Sequence, residues 1–383
     1  MQVVLATYGT RGDVEPMVAL AADLREQGID VRLCAPPDEE LREVVGRAGV
    51  PVLYFHRPYR DFEQGLASEQ RVLGVDGFVN AHISATHPVL EAAVAEGCDV
   101  LLATGMLHFV AGSVAKKAKV PHRFVVFTDW VLQPRPHHPL IVPALNAYRG
   151  ALGLPPVQDP RHYLFTEHPW VAAEPLLSAN AEVPGLEIVR TSAWTLNDQR
   201  PLAPELEDFL DKGSPPIVVG FGSMQVPPGF AQLALTTARD QGRRLVLLSG
   251  WSGLAIDERG DDALVAGEVN QQALFARAAA VVHHGGAGTT LTALRAGTPQ
   301  VVIGQAADQS GNGKRVAELG IGVALKSPAP TERDLSAALE QVLDVDIQRT
   351  ARARVGQVVT DGTARAAELL ETAAGSGAAQ STA

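Results

Sequence analysis

The sequence predicts an α/β protein made of two doubly wound parallel-sheet domains facing one another across a cleft, and three observations carry that reading. Short apolar runs alternate with longer amphipathic ones along most of the chain, the pattern of repeated β-α-β units. The alternation falls into two series, separated by a proline- and charge-rich stretch, TLNDQRPLAPELEDFLDKGSPP. The chain has 383 residues, and single domains run about 100–200 residues, so two is the natural number.

In the first series, Val3–Tyr8 reads as a strand and Val14–Glu26 as a helix, with Val14, Met17, Val18 and Ala21 recurring at helical spacing on one face. Val31–Ala35, Val100–Ala103 and His122–Phe127 read as further strands. Tyr54–Asp76 and Thr128–His162 read as long irregular loops, and loops of that length tend to carry function. The second series runs through Ile217–Phe221, Leu245–Leu248, Ala280–His283, Gln300–Ile303 and Gly322–Leu325. A short helix near Leu206–Leu210 interrupts the connection, and helical patterns at Asp334–Leu343 and Thr363–Ala373 finish the chain. The expected organisation is a domain at 1–195, a linker at 196–214 and a second domain at 215–360. A terminal helix at 361–374 is expected to return to the first domain, followed by a disordered tail at 375–383.

Hydrophobic residues make up 46% and charged residues 20%, an ordinary globular composition. A net charge of −11 argues against nucleic acid or an anionic membrane as partner, both of which need clustered Lys and Arg. Two isolated cysteines, Cys34 and Cys98, support neither a disulfide framework nor a zinc site. The N-terminus lacks a basic leader, and no apolar stretch nears the ~20 residues of a membrane helix. A cytoplasmic protein, monomeric or weakly dimeric, is the expectation.

Open parallel sheets bind ligands beyond the carboxyl ends of their strands, and the unusual residues of this chain sit there. The strongest signal is VVHHGGAGTTLTALRAGTP at 281–299. A strand runs straight into glycines, a helix begins near Ala287, and Gly297 before Pro299 ends it. Free backbone N–H groups of a first helical turn, together with the helix dipole, favour a diphosphate. His284 and Thr289 add side-chain donors. A second site is Gly9-Thr10-Arg11-Gly12-Asp13, between the first strand and the first helix. A carboxylate there suits general base work or, more simply, an N-cap. The only Asp-x-Asp, Asp344-Val345-Asp346, reads as a solvated helix terminus, not as a metal site.

These segments resemble the GT-B glycosyltransferases, specifically the bacterial antibiotic enzymes and, among them, the glycopeptide-antibiotic group. The resemblance covers nearly the whole chain, through GTRGDVEP at 9–16, GLPPV at 153–157, EHPWVAAEPLL at 167–177, RPLAPELEDFL at 200–210 and SPPIVVGFGS at 214–223. It implies inverting, metal-independent transfer of a hexose or deoxyhexose from a UDP- or dTDP-sugar to a hydroxyl of a natural-product acceptor, with no further cofactor. By that resemblance Asp13 is the general base. The base and ribose rest on Val269-Asn270-Gln271, and the phosphates meet Ser223 and the run His284, Gly286, Ala287, Gly288 and Thr289. The sugar hydroxyls meet Asp308 and Gln309. Thr10, Arg11, Gly222 and Trp251 complete the candidate donor set; His108, Trp130 and His137 are the acceptor-side candidates. Thr292 stands where plant relatives carry a ribose-gripping Glu, which gives weight to a deoxynucleotide donor. Ser310-Gly311-Asn312-Gly313 stands where relatives commonly carry Pro and aromatics.

A nicotinamide dehydrogenase fails on the first loop, which has only Gly9 and Gly12 and no acid after Cys34-Ala35. A Walker A kinase fails at Lys314-Arg315. A nucleotide-sugar epimerase of the same architecture and a non-catalytic sugar-nucleotide binder remain as alternatives.

Overall fold

A computed structural model describes all residues except 134–137, 179–181, 252, 257–259 and 381–383. The chain forms two compact units. The first takes in Met1–Ala173 and, from the far end of the chain, the segment beginning at Val359; the second takes in Asn197–Val358.

The first unit opens with β1 (Gln2–Tyr8), α1 (Arg11–Glu26), β2 (Asp30–Ala35), α2 (Glu39–Ala48) and β3 (Val52–Tyr54). A helical segment α3 (Tyr59–Ala95), two helices meeting at Gly74, follows, then β4 (Val100–Gly105), α4 (Ala111–Ala118) and β5 (His122–Val126). Helices α5 (Val142–Ala151) and α6 (Pro160–Phe165) lead to two short strands, β6 (Trp170–Val171) and β7 (Val189–Arg190). The seven strands pair in the order β3-β2-β1-β4-β5-β6-β7, all parallel. Buried Val14, Met17, Leu20 and Leu24 of α1 pack on one face of this sheet. The same core takes Ala366, Ala367 and Leu370 of the last helix, α14 (Gly362–Gln380).

The second unit runs α7 (Pro204–Asp211), β8 (Ile217–Gly220), α8 (Phe230–Asp240), β9 (Leu245–Leu248) and β10 (Ala263–Ala266). It continues through α9 (Gln271–Phe275), β11 (Ala280–His283), α10 (Ala287–Ala296), β12 (Gln300–Ile303), α11 (Ala307–Glu318) and β13 (Gly322–Leu325), and closes with α12 (Glu332–Val342) and α13 (Val345–Arg354). Its sheet is also wholly parallel, in the order β10-β9-β8-β11-β12-β13. Strand order therefore reverses beside β1 and β4 in one sheet, and beside β8 and β11 in the other. Those reversals open the crevices in which doubly wound sheets hold ligands.

Three readings from the sequence need correction. Most of Tyr54–Asp76, expected as loop, is the first part of α3, bent at Gly74 where φ is +65°. Its glycines and polar residues hide the helical period. Thr128–His162 contains α5 and two 3-10 turns. Residues 375–380, assigned to a disordered tail, continue α14. Asp344 does lie at an exposed helix terminus: it directly follows α12 and caps α13 by accepting from the amide of Asp346 at 2.8 Å.

Burial of an imidazole disfavours its charged form. It pushes His82 and His284 down to about 4, and His122 and His283 down to about 3. In the unfolded chain a histidine titrates near ~6.5, so acid charges these rings in the unfolded chain first. The stability they permit is complete above pH ~6.5 and falls as pH drops from there toward 4. A calorimetric Tm that declines steadily between pH 6.5 and 4.5 is expected; a flat profile over that range would contradict it.

Candidate active site

One candidate site, in the first unit, forms where β1 and β4 part. Thr10 is the N-cap of α1 and Asp13 its third helical residue, so the sequence reading of Asp13 as the cap itself is corrected. The amide of Thr10 donates to Oδ2 of Asp13 at 3.0 Å. This reciprocal bond fixes the carboxylate against the helix start. Gly9 makes room for it: a Cβ added there would lie 2.6 Å from Cγ and 2.9 Å from Cβ of Asp13. Gly105, the last residue of β4, approaches the same carboxyl carbon from the other strand. Gly9 falls within the site the sequence marks, but its close approach to Asp13, like the place of Gly105, is tertiary and leaves no mark along the chain. Arg11 is not simply offered to a ligand, since its Nε donates to Glu15 one turn on at 2.6 Å.

His108 follows Gly105 in a 3-10 turn at the same strand end, its ring 4.1 Å from that of Phe109 and edge-on to it. Trp130 lies in a 3-10 turn after β5, and its buried indole Nε1 has no hydrogen-bond partner. Beside it Asp129 is buried and pairs with Arg190 at 3.3 Å. His137 lies outside the described residues.

A second candidate site, in the second unit, forms where β8 and β11 part. Gly222 and Ser223 make the turn after β8, with the amide of Met224 returning to the carbonyl of Phe221 at 2.9 Å. The amide of Trp251, after β9, donates to the carbonyl of Gly222 at 2.9 Å and ties the two turns together. His284 sits across from this turn: its Cε1 would be 3.5 Å from a Cβ at Gly222, and its ring is 6.5 Å from that of Phe221. Its Nδ1 is buried without a partner, an orphan that asks for a ligand. A side chain at Gly286 would overlap the His284 ring, so the glycine is demanded by close approach. The first backbone bond of α10 runs from Thr290 to the carbonyl of Gly286 at 2.9 Å. The amides of Ala287, Gly288 and Thr289 come before it and form the unsatisfied first turn.

Of the other donor-side candidates, Asn270 is a structural pin. It caps α9 through Ala273 at 3.0 Å and donates to the carbonyls of Asp198 and Arg200, each at 2.8 Å. Val269 and Gln271 flank it, both partly exposed. Asp308 occupies the first turn of α11, whose N-cap is Ala306. Gln309 spends its carbonyl oxygen on the amides of Gln305, at 2.9 Å, and Ala306, at 3.2 Å, which leaves its NH2 group as the donor. The hydroxyl of Thr292 turns back to the carbonyl of Gly288 at 2.9 Å.

Two doubly wound units, each with its singular residues at the reversal of strand order, are the architecture of a GT-B glycosyltransferase. The family model "Glycosyltransferase family 28 N-terminal domain" matches residues 3–54. "Erythromycin biosynthesis protein CIII-like, C-terminal domain" matches 258–368. The vancomycin aglycone glucosyltransferase of Amycolatopsis orientalis is 43% identical over 402 residues, covering 97% of each chain. The dTDP-epi-vancosaminyltransferase of the same organism is 41% identical over 374 residues, covering 92% of each. Among solved structures, the spinosyn rhamnosyltransferase SpnG complexed with thymidine diphosphate matches with a TM-score of 0.71 at 20% identity. That match covers 96% of this chain and 100% of the other, and it bears on the fold alone. The chain belongs to the glycopeptide-antibiotic glycosyltransferases, enzymes of GT-B fold that use nucleotide sugars. Among the described residues no helix is long and apolar enough to cross a membrane.

Proposed function

We propose that the protein transfers a hexose or deoxyhexose from a dTDP- or UDP-sugar to a hydroxyl of a glycopeptide-like aglycone, with inversion and without a metal. The observation that carries the reading is the pair of prepared sites, a fixed carboxylate at Asp13 and an unsatisfied helix start beside the orphaned His284. Single displacement makes two demands. The attacking hydroxyl must lose a proton, and the departing diphosphate must have its growing negative charge met. Asp13 answers the first. The amides of Ala287–Thr289, the α10 dipole and the imidazole of His284 answer the second, in the place a divalent ion takes in other transferases. Thr292 offers no carboxylate for a ribose diol, which favours the deoxynucleotide. The relatives named for a vancomycin aglycone and for a dTDP-sugar support the acceptor class and the nucleotide in turn.

His284→Ala tests the diphosphate site. A hydrogen bond to a charged group is worth ~1.5–3 kcal/mol, so donor affinity and turnover should fall roughly ten- to a hundredfold. The ring is neutral in this setting, so it acts as an N–H donor and not as a cation. Unchanged diphosphate affinity by calorimetry would remove it from the site. Turnover should also survive saturating EDTA. Full loss, restored by manganese or magnesium, would overturn the metal-independent mechanism.

A further inference from the structure

We infer that His283 and Asn312, which touch no substrate in this reading, are positioning residues that hold the diphosphate loop in shape. The inference rests on the reading that residues 284–289 receive the diphosphate. Everything turns on Gly285, whose φ is +87° and whose missing side chain would meet Val302 Cγ1 at 2.7 Å and the carbonyl of Gln309 at 2.8 Å. Only glycine fits this backbone, and two buried side chains grip its peptide groups from opposite ends. The amide of Gly285 donates to Nδ1 of His283 at 3.1 Å. The Nδ2 group of Asn312, from α11, donates to the carbonyl of Gly285 at 2.8 Å.

The first bond sets the state of the ring. An imidazole nitrogen that accepts carries no proton, so His283 holds its proton on Nε2 and donates it to Oε1 of Gln300 at 2.9 Å. This also orients the Gln300 amide, whose NH2 group is left buried without a partner. The chain thus retains a buried orphan to keep His283 in one tautomer. The second bond links two parts of the donor site. Asn312 stands one turn after Asp308 on the same helix, so the sugar-reading end of α11 and the phosphate loop after β11 are bolted at one glycine. With both bonds made, the Gly285 amide is committed to His283, and the first-turn amides of Ala287, Gly288 and Thr289 remain for the phosphates.

Substitution can separate positioning from mere support. The Oδ1 of Asn reaches where Nδ1 of His lies, so His283→Asn should retain the bond to Gly285. The amide of Gln reaches instead to the Nε2 position, so His283→Gln should lose it. Binding of thymidine diphosphate and uridine diphosphate, each beside its own nucleoside, would be measured by calorimetry on the folded proteins, with Tm alongside. A lost neutral hydrogen bond corresponds to about a three- to tenfold change. The expected result is a weakening of that size in diphosphate affinity for His283→Gln and for Asn312→Ala, with nucleoside affinity unmoved and His283→Asn close to the unaltered protein. Equal losses of nucleoside and diphosphate, equal effects of Asn and Gln, or no effect at Asn312 would overturn the inference. Should His283→Gln fail to fold, Asn312→Ala decides by the same ratio. If His284→Ala leaves diphosphate affinity unchanged, the fault lies in the reading of the loop itself. If His284→Ala weakens it and these variants do not, only the positioning role is lost.

Discussion

Asp13→Asn is expected to lower acceptor-dependent turnover by ~10²–10⁴-fold, the usual worth of a general base, with fold and donor affinity kept. The structure makes this a clean substitution. Asp13 holds the start of α1 by accepting from the amide of Thr10, and the carbonyl oxygen of Asn can accept the same bond. What Asn cannot do is take a proton at neutral pH. Donor affinity should hold, because the diphosphate is assigned to residues of the other unit. Tm, diphosphate binding and turnover belong on one preparation. A stable, donor-binding, nearly inactive variant is the expected outcome. Near-normal turnover would reduce Asp13 to a part of the capping box and move the search to His108, His137 and His138.

Gly9→Ala should reproduce much of that loss without touching the carboxylate chemically. The added methyl would fall within 2.6 Å of Cγ of Asp13, so the side chain must leave its position. Misplacing a catalytic group by about 1 Å can cost ~10²-fold, and a kcat loss of that order is expected with diphosphate affinity unchanged. If the effect runs through Asp13, the two substitutions will not add: Gly9→Ala in the Asp13→Asn background should cost little more. An additive double variant, or normal turnover in Gly9→Ala, would contradict it.

The two parallel sheets were legible because nearly every buried strand is an unbroken apolar run, as in Ile217–Gly220 and Leu245–Leu248. The helix after His284 was legible from its glycines and from the Gly297 stop. What escaped was of two kinds. Strands of two residues, β6 and β7, are too short to leave a pattern, and α3 breaks its helix at Gly74 and carries it through Pro88. The other kind depends on distant neighbours. That Gly9 faces Asp13, that Asn312 reaches Gly285 and that Asn270 is consumed by the carbonyls of Asp198 and Arg200 are facts of packing, invisible along the chain. One miss was avoidable. Thr10-Arg11-Gly12-Asp13 is itself a Thr-x-x-Asp capping signature, which places Asp13 at the third helical position and not at the cap.

The most direct test of sugar transfer by displacement is the product itself. The purified protein, a panel of α-linked dTDP- and UDP-sugars and a glycopeptide aglycone would be incubated together, with mass and anomeric configuration read by mass spectrometry and NMR. The account predicts one aglycone gaining the mass of a single sugar residue, only when both partners are present, with the new bond of β configuration. An epimerised nucleotide sugar formed without acceptor, or a product that keeps the α configuration, would contradict it.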